Sequence, residues 1–415
     1  MDTSGFKLGD WLDVIENRHA QEIQLGLDRI KSVANELDLL TWDAKVVTVG
    51  GTNGKGSTVA ALETIYSTAG YQVGAYTSPH LIKFNERIRV NQQPISDELL
   101  CAALDHIERC RGQVHLTYFE MVTLAALYFF KQSHLDIIIL EVGLGGRLDA
   151  TNIIDSDLAI ITTVDLDHQE YLGSTREAIG YEKAGILRPN RPFIYADDTP
   201  PDSLIQFATS LNSPRLEGSF DVTEDSLVIY SLFGPLIRVP LPNINPKAAV
   251  AAMLATSYLN SHLPVTPAQL ALAMKRIFIP GRQQLIPGEV SILFDVAHNP
   301  QAVRLLVEFI RRFEPKGKIH AVFSGLKDKD LAGLIEPMQS LVDFWYPALL
   351  TNKRAASSSL LIKVFSLLNH PVTSCYDDPI RAYETALQRA KLGDLIIVYG
   401  SFFTVSAVMS SCQMT

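Results

Sequence analysis

The sequence predicts a two-part α/β protein: a mostly parallel sheet domain over residues 1–281, followed by a smaller α/β domain over residues 282–415. Three observations predict it. Short apolar, β-branched runs alternate with helical spacings through the first half of the chain. A glycine-rich loop joins the first of those runs to the helix after it. A second alternation begins beyond the turn signals Ile279-Pro280-Gly281-Arg282 and Pro287-Gly288.

In order, Trp11 to Leu40 carries apolar residues at helical spacing: Trp11, Leu12 and Ile15, then Leu27, Ile30, Val33 and Leu37. Val46–Val49 reads as a buried strand, Thr58–Ala69 as a helix stopped by Gly70, and Val73–Thr77 as a second strand. Tyr118–Gln132 reads as a helix, Asp136–Val142 and Leu158–Val164 as strands, and Ala178–Leu187 as a helix. Pro192 to Pro242 is rich in Pro and Asp and predicts short strands and loops. Lys247–Asn260 is a helix of small residues. The second alternation runs strand Ser291–Val296, helix Gln301–Phe313, strand Ile319–Ser324, helix Leu331–Leu341, strand Phe344–Ala348, helix Pro379–Ala390 and strand Leu395–Val398.

Of the 415 residues 47% are apolar and 20% charged, the balance of a globular protein. A formal charge of −9 argues against a nonspecific nucleic-acid binder, which needs a broad basic surface. Cys101, Cys110, Cys375 and Cys412 form no CxxC pair, so reduced thiols in a cytoplasmic protein are expected rather than a zinc site. The N-terminal residues lack the pattern of a signal peptide, and no apolar run approaches the roughly 20 residues that cross a bilayer.

Chemistry enters at Gly50-Gly51-Thr52-Asn53-Gly54-Lys55-Gly56-Ser57. A strand, a Gly/Lys/Ser loop and a helix in that order form the setting in which backbone N–H groups and a helix N-terminus hold phosphates. Thr52, Asn53, Gly54, Lys55, Gly56 and Ser57 are the expected ATP contacts, with Lys55 between the terminal phosphates. The match to GxxxxGK[ST] is imperfect: Val49 stands where the first glycine belongs, Gly56 where the hydroxyl belongs, and Ser57 follows one residue late. Glu141 ends the run Ile137-Ile138-Ile139-Leu140 at the strand end where such sheets bind ligands, which marks it as a metal-side acid.

The loop resembles that of the folylpolyglutamate synthase family, relatives of the Mur ligases. Thr77-Ser78-Pro79-His80-Leu81, Asn85-Glu86-Arg87-Ile88, Leu116-Thr117-Tyr118-Phe119-Glu120, the long run Glu141 to Asn152, Leu166-Asp167-His168 and Glu182-Lys183-Ala184-Gly185-Ile186 resemble it in the same order. Pro280-Gly281-Arg282, Phe294-Asp295-Val296-Ala297-His298-Asn299-Pro300 and Gly325-Leu326-Lys327-Asp328-Lys329-Asp330 extend the likeness into the second domain. The resemblance implies a P-loop NTPase-like domain followed by a Rossmann-like glutamate-ligase domain. It also implies a ligase in which ATP phosphorylates a carboxylate of dihydropteroate or of a folate glutamate, and L-glutamate then attacks the acyl phosphate.

That likeness assigns roles residue by residue. Lys55, His168 and Lys183 are the implied catalytic residues. Ser57 or Ser78, Glu141, His168 and Lys183 are the implied ligands of Mg²⁺, two ions in all, with Lys183 converted by carbon dioxide to an anionic carbamate. A monovalent cation is also compatible with the likeness. Gly26, Leu27, Arg29, Thr117, Tyr118, Phe119, Glu120, Leu148, Asp149, Ala150 and His298 are the implied substrate contacts, Tyr118 and Phe119 as candidates to face a pterin ring. Arg282 and Asp295 are implied nucleotide contacts. The expected partners are small molecules (dihydropteroate, folates, L-glutamate) and neither nucleic acid nor membrane, for a cytoplasmic monomer. The Pro/Gly joint predicts that the domains close around ATP and substrate.

Two departures stand out. Lys247 occupies the place where many relatives carry a nucleotide-contacting asparagine, and an ammonium cannot copy an amide's paired donor and acceptor. Gly400-Ser401-Phe402-Phe403 replaces a Gly-Ser-x-His pattern. A Mur-type ligase of cell-wall precursors and a nonenzymatic nucleotide regulator stand as alternatives at this point. The folate-like runs weigh against the first, and the lack of an Asn-Lys-x-Asp base reader against a guanine-specific form of the second.

Overall fold

The computed structural model describes residues 5–18, 24–231 and 236–412, and the chain divides into two compact units, Met1–Phe278 and Ile279–Thr415. The first unit opens with α1 (Leu8–Asn17) and α2 (Asp28–Glu36), which bury Trp11 and Ile15, then Ile30 and Val33. The helical spacing read from Trp11 to Leu40 is thus two helices, and residues 19–23 of that stretch lie outside the described residues.

The central sheet is built from β1 (Lys45–Gly50), β2 (Val73–Tyr76), β3 (Ile88–Val90), β4 (Gln93–Pro94), β5 (Ile137–Glu141), β6 (Leu158–Ile161), β7 (Phe193–Tyr195) and β8 (Arg215–Leu216). Its order is β4-β3-β2-β5-β1-β6-β7-β8. From β2 to β8 every pairing is parallel; β3 and β4 add an antiparallel edge. The apolar runs of β5 and β6 are buried throughout, as strands covered on both faces must be. Each such Val, Leu or Ile contributes roughly 1.5–3 kcal/mol of burial.

The covering helices are α3 (Lys55–Ala69), α4 (Asp97–Cys110), α5 (Tyr118–Lys131), α6 (Gln169–Leu172), α7 (Arg176–Ala184) and α8 (Asp202–Ser210). Gly70 takes the left-handed conformation at φ 95° and ends α3, as its position predicted. Three antiparallel strands, β9 (Gly218–Val222), β10 (Ser226–Ser231) and β11 (Ile237–Pro240), precede α9 (Pro246–Leu259) and α10 (Pro267–Arg276).

In this unit the sequence reading missed α4, α6, α8 and α10; in the second it missed the helices Ser358–Leu367 and Phe402–Ser411. In α8 the cause is local: Pro200-Pro201-Asp202 looks like a loop, yet proline just ahead of a helix and an acidic first turn are start signals.

The second unit has its own sheet of β12 (Gln284–Ile286), β13 (Ser291–Asp295), β14 (Ile319–Phe323), β15 (Phe344–Pro347) and β16 (Leu395–Tyr399), in the order β12-β13-β16-β14-β15. Only β12 runs antiparallel. Its helices are α11 (Pro300–Phe313), α12 (Leu331–Ile335), α13 (Ser358–Leu367), α14 (Pro379–Arg389) and α15 (Phe402–Ser411). The helix expected over Leu331–Leu341 stops at Ile335 and continues as a 3₁₀ turn, Glu336–Met338. Pro337, which lacks an N–H and crowds the preceding turn, accounts for the break.

The fold is therefore the α/β architecture expected, with mostly parallel sheets. Among the described residues no helix is long and apolar enough to cross a membrane.

Candidate active site

Register places the chemistry. Val49 of β1 lies beside Glu141 of β5, and Gly50 beside Ile161 of β6. The residues that follow β1, β2, β5 and β6 therefore emerge along one carboxyl edge. The connection from β1 runs to β2 on one side and the connection from β6 to β7 on the other, so between β1 and β6 the connections diverge and a crevice opens.

The Gly50–Ser57 loop is held by the segment after β6. Thr52 N–H donates to Thr163 O at 2.8 Å, and Thr52 Oγ1 donates to Asp165 O at 3.1 Å. Thr163 Oγ1 accepts from Asn53 N–H at 2.9 Å, while Thr162 Oγ1 reaches Asn53 O at 2.7 Å. Gly51 has φ 141°, and a Cβ there would sit 1.9 Å from Thr162 Oγ1, so no other residue fits. Lys55 Nζ donates to Gly51 O at 3.0 Å and Thr52 O at 3.1 Å, bending the loop around its own cation. The sequence reading missed Thr162, Thr163 and Asp165. Two hydroxyl residues directly after an apolar strand were the available signal.

Glu141 is buried, with 4% exposed, and its Oε2 accepts from Ser78 N–H at 3.3 Å. The helix residue facing it is Gly56, where a Cβ would lie 3.8 and 3.9 Å from the two carboxylate oxygens. The structure thus brings Ser78 to Glu141, and Gly56 leaves open the space on the helix side.

Lys183 is buried at 3% exposure. It is placed by the packing of the turn after β5 against the end of α7. A Cβ on Gly146 would lie 2.8 Å from Glu182 O, and one on Gly185 would lie 2.3 Å from Arg147 Cβ. Arg147 N–H donates to Glu182 O at 2.7 Å, and the Arg147 guanidinium pairs with the Glu182 carboxylate at 2.8 Å. Asn152 Nδ2 closes the junction on Gly185 O at 3.0 Å. Burial, and then the Lys55 ammonium, push the Lys183 amine down to about 7; Asp167 and Asp149 act weakly in the other direction. His168 is exposed, in the left-handed region at φ 50°, with Asp167 Oδ2 3.9 Å from its Nε2.

The implied substrate residues other than His298 also lie in this unit. Arg29 pairs with Glu120 at 3.1 Å and donates to Gln24 O at 2.8 Å, which fixes the Gly26-Leu27 turn against the start of α5. Glu120 and Thr117 cap that helix reciprocally: Thr117 N–H donates to Glu120 Oε2 at 2.7 Å, and Glu120 N–H to Thr117 Oγ1 at 3.2 Å. The Phe119 ring packs onto Gly143, where a Cβ would be 2.5 Å from Phe119 Cζ. Tyr118 meets Phe84 edge-on, and Arg87 lies over both rings. Arg87 Nε donates to His80 Nδ1 at 2.9 Å; burial, then the Arg87 charge, push His80 down to about 4 and keep it neutral. Asp149 is spent on its own turn, accepting from Leu144 N–H at 2.9 Å, Thr151 N–H at 3.0 Å and Thr151 Oγ1 at 2.7 Å. Burial still raises its pKa. Leu148 and Ala150 flank it on that turn.

Lys247, at the start of α9, is gripped by Asp197 at 2.7 Å and Asp198 at 2.9 Å beyond the carboxyl end of β7. In the second unit, buried Asp295 accepts from Gln283 N–H at 2.9 Å and Ala297 N–H at 2.7 Å, fastening Arg282-Gln283 to the end of β13. Burial raises its pKa, against the nearby Arg282 charge. Arg282 lies over the Phe402 ring at 5.3 Å, and His298 packs against the same ring at 5.8 Å. Phe403 is half exposed.

Known proteins carry the same architecture. Residues 49–220 match the Mur ligase middle domain, and residues 281–402 the Mur ligase glutamate ligase domain. The chain is 40% identical over 410 residues to the dihydrofolate synthase/folylpolyglutamate synthase of Escherichia coli (strain K12), covering 97% of this chain and 94% of that protein. Escherichia coli FolC in complex with DHPP and ADP superposes with a TM-score of 0.94 at 38% identity, over 100% of this chain and 99% of that one. The bifunctional folylpolyglutamate synthase/dihydrofolate synthase of Yersinia pestis, complexed with AMPPNP and Mn ion, superposes with a TM-score of 0.92 at 39% identity over 100% of both chains.

Proposed function

The chain belongs to the dihydrofolate synthase/folylpolyglutamate synthase family of Mur-type ligases, and we propose from that premise how its residues divide the reaction. It is an ATP-dependent carbon–nitrogen ligase. It adds L-glutamate to 7,8-dihydropteroate, and to the glutamate of folate or tetrahydrofolate, with release of ADP and phosphate. The family assignment takes the place of the cell-wall-ligase and regulator readings. The observation that carries the proposal is the convergence on one sheet edge of a phosphate loop with Lys55, a buried carboxylate and a buried lysine whose pKa burial lowers to about 7.

A carboxylate resists attack because it would have to expel oxide. Transfer of the γ-phosphoryl group to it makes phosphate the leaving group and sets two anions against each other, so the site must supply positive charge on the shared oxygens. The loop amides at Thr52 to Ser57 and the N-terminus of α3 hold the phosphates, and Lys55 moves from the loop carbonyls to the terminal phosphates. Lys247 in the first unit, and Arg282 and Asp295 in the second, are the further proposed nucleotide contacts. Thr117–Glu120, Leu148–Ala150 and the Gly26–Arg29 segment hold the acceptor, and His298 the glutamate side.

The donors at this edge fit a magnesium ion. Glu141 offers a buried carboxylate with Ser78 beside it. Among the described residues no three His, Cys, Asp or Glu side chains cluster as a protein-only metal site. A single buried carboxylate suits Mg²⁺, which takes one or two carboxylates and fills its other positions with phosphate oxygens and water. Ser78 rather than Ser57 is the better candidate hydroxyl, with Glu141, His168 and a Lys183 carbamate as further ligands. Bound magnesium supplies neutralisation of the charge shared by the transferring oxygens.

We place the enzyme in the cytoplasm as a monomer acting on small molecules. Its four unpaired cysteines and net charge of −9 are in keeping with that. The test is acceptor-dependent ADP release, with L-glutamate present, in separate reactions with dihydropteroate, tetrahydrofolate and a UDP-muramoyl peptide. Both folate acceptors are expected to gain one glutamyl residue per ADP. Turnover with the muramoyl peptide alone would overturn the reading.

A further inference from the structure

Ser78 stands on a connection of irregular backbone between β2 and β3, yet its placement beside Glu141 has to be reproducible for a metal ion to bind there. An ion pair ties that connection to α3. Arg89, on β3, carries its guanidinium to Glu63, on α3, with NH2 2.7 Å from Oε2 and Nε 3.1 Å from both carboxylate oxygens. The remaining nitrogen, NH1, donates to Thr77 Oγ1 at 2.9 Å and to the Glu86 carbonyl. Glu63 is 3% exposed as a residue, and the Arg89 side chain 18%. The Glu86 carboxylate in turn gathers the N–H groups of Leu81, Ile82 and Lys83 at 2.6–3.0 Å.

Thr77 precedes Ser78, and α3 is the helix that begins with Lys55. We propose that Arg89, seated on Glu63, is a positioning residue that fixes the Ser78 turn to the phosphate-loop helix and so sets the affinity of the site for its divalent metal. The inference rests on the metal reading given above for Glu141 and Ser78. A buried pair does not justify itself by stability: desolvating both ions costs about what their attraction returns. Geometric specificity is what the planar fork adds, because three nitrogens engage two different elements at fixed angles. Lysine can keep the charge on Glu63 but cannot span both elements.

Partners that orient metal ligands without touching the metal typically change affinity about 10–100-fold when removed. Mn²⁺ binding to the full chain with saturating ADP, followed by the loss of the free-ion electron paramagnetic resonance signal, tests the proposal. The variants are Arg89→Lys, Glu63→Gln and, as the ligand control, Glu141→Gln. Arg89→Lys is expected to weaken Mn²⁺ binding at least about tenfold. It should also raise the metal concentration needed for half-maximal turnover by a similar factor, with kcat at saturating metal changed less than threefold.

If Glu141→Gln weakens Mn²⁺ and Arg89→Lys does not, the positioning role is overturned while the metal site stands. If Glu141→Gln leaves Mn²⁺ binding unchanged, the metal reading itself fails. Should Arg89→Lys prove unfolded by circular dichroism, Glu63→Gln carries the same expectation and the same power to refute.

Discussion

Replacement of Lys55 by alanine is expected to lower kcat/KM for ATP by about 10³-fold or more, equivalent to roughly 4 kcal/mol of transition-state stabilisation. The size follows from two functions in one side chain. At rest the ammonium donates to Gly51 O and Thr52 O, so it shapes the loop that presents the backbone N–H groups. On the proposed assignment, during transfer it is the side-chain cation that the loop brings to the terminal phosphates. Arginine keeps the charge, but its broad planar head cannot occupy the place of a compact ammonium inside the loop, so Lys55→Arg is expected to recover little. ADP affinity, measured calorimetrically, should fall much less than turnover, because the loop amides persist. Retention of more than a tenth of wild-type turnover by Lys55→Ala would mean that the phosphates bind elsewhere.

The second large effect is expected at Lys183. An exposed lysine is neutral in about one molecule in three thousand at pH 7. Lys183 is buried by the Gly146 and Gly185 contacts, with its pKa near 7, so about half the amines are neutral at that pH. Neutral amine is the form that adds carbon dioxide, releasing a proton as the carbamate forms. The sign is therefore definite: at fixed dissolved carbon dioxide, carbamate formation rises as pH increases through about 7 and is suppressed below it.

Lys183→Ala is expected to lose about 10²–10³-fold in kcat, since an anionic ligand and its orienting power go together. Small carboxylic acids are expected to restore part of the loss by occupying the vacated space. Activity of Lys183→Ala within threefold of wild type, or wild-type activity unaffected by exhaustive removal of carbon dioxide and bicarbonate, would contradict the assignment.

How far the sequence discloses this site depends on whether a residue acts through its neighbours in the chain or through distant ones. The phosphate loop, Glu141 and the parallel sheet were legible because each is a local pattern: β-branched runs, glycines at a strand-to-helix turn, an acid at a strand end. The ties between such patterns were not. Thr162 and Thr163 look like an unremarkable strand exit until the fold brings them to Asn53. Arg89 and Glu63 are ordinary charges until β3 is laid along β2 and the side chains meet across α3.

Lys247 shows the same limit from the other side. Its departure from the family pattern was visible, but its capture by Asp197 and Asp198 was not. The hydroxyl displaced from the loop by Gly56 has a structural counterpart as well: Gly56 faces Glu141 with no side chain, and Ser78 approaches the same carboxylate from a separate segment.

We propose that this edge activates a carboxylate as an acyl phosphate before glutamate attacks. This step is tested most directly with dihydropteroate carrying ¹⁸O in both carboxylate oxygens, ATP, and L-glutamate. Transfer of the phosphoryl group to one labelled oxygen, followed by attack of the amine on the carbonyl carbon, sends that oxygen out with the phosphate. One ¹⁸O is expected in each phosphate released, and one in the amide. Phosphate free of label, with glutamate nonetheless joined to the acceptor, would contradict it.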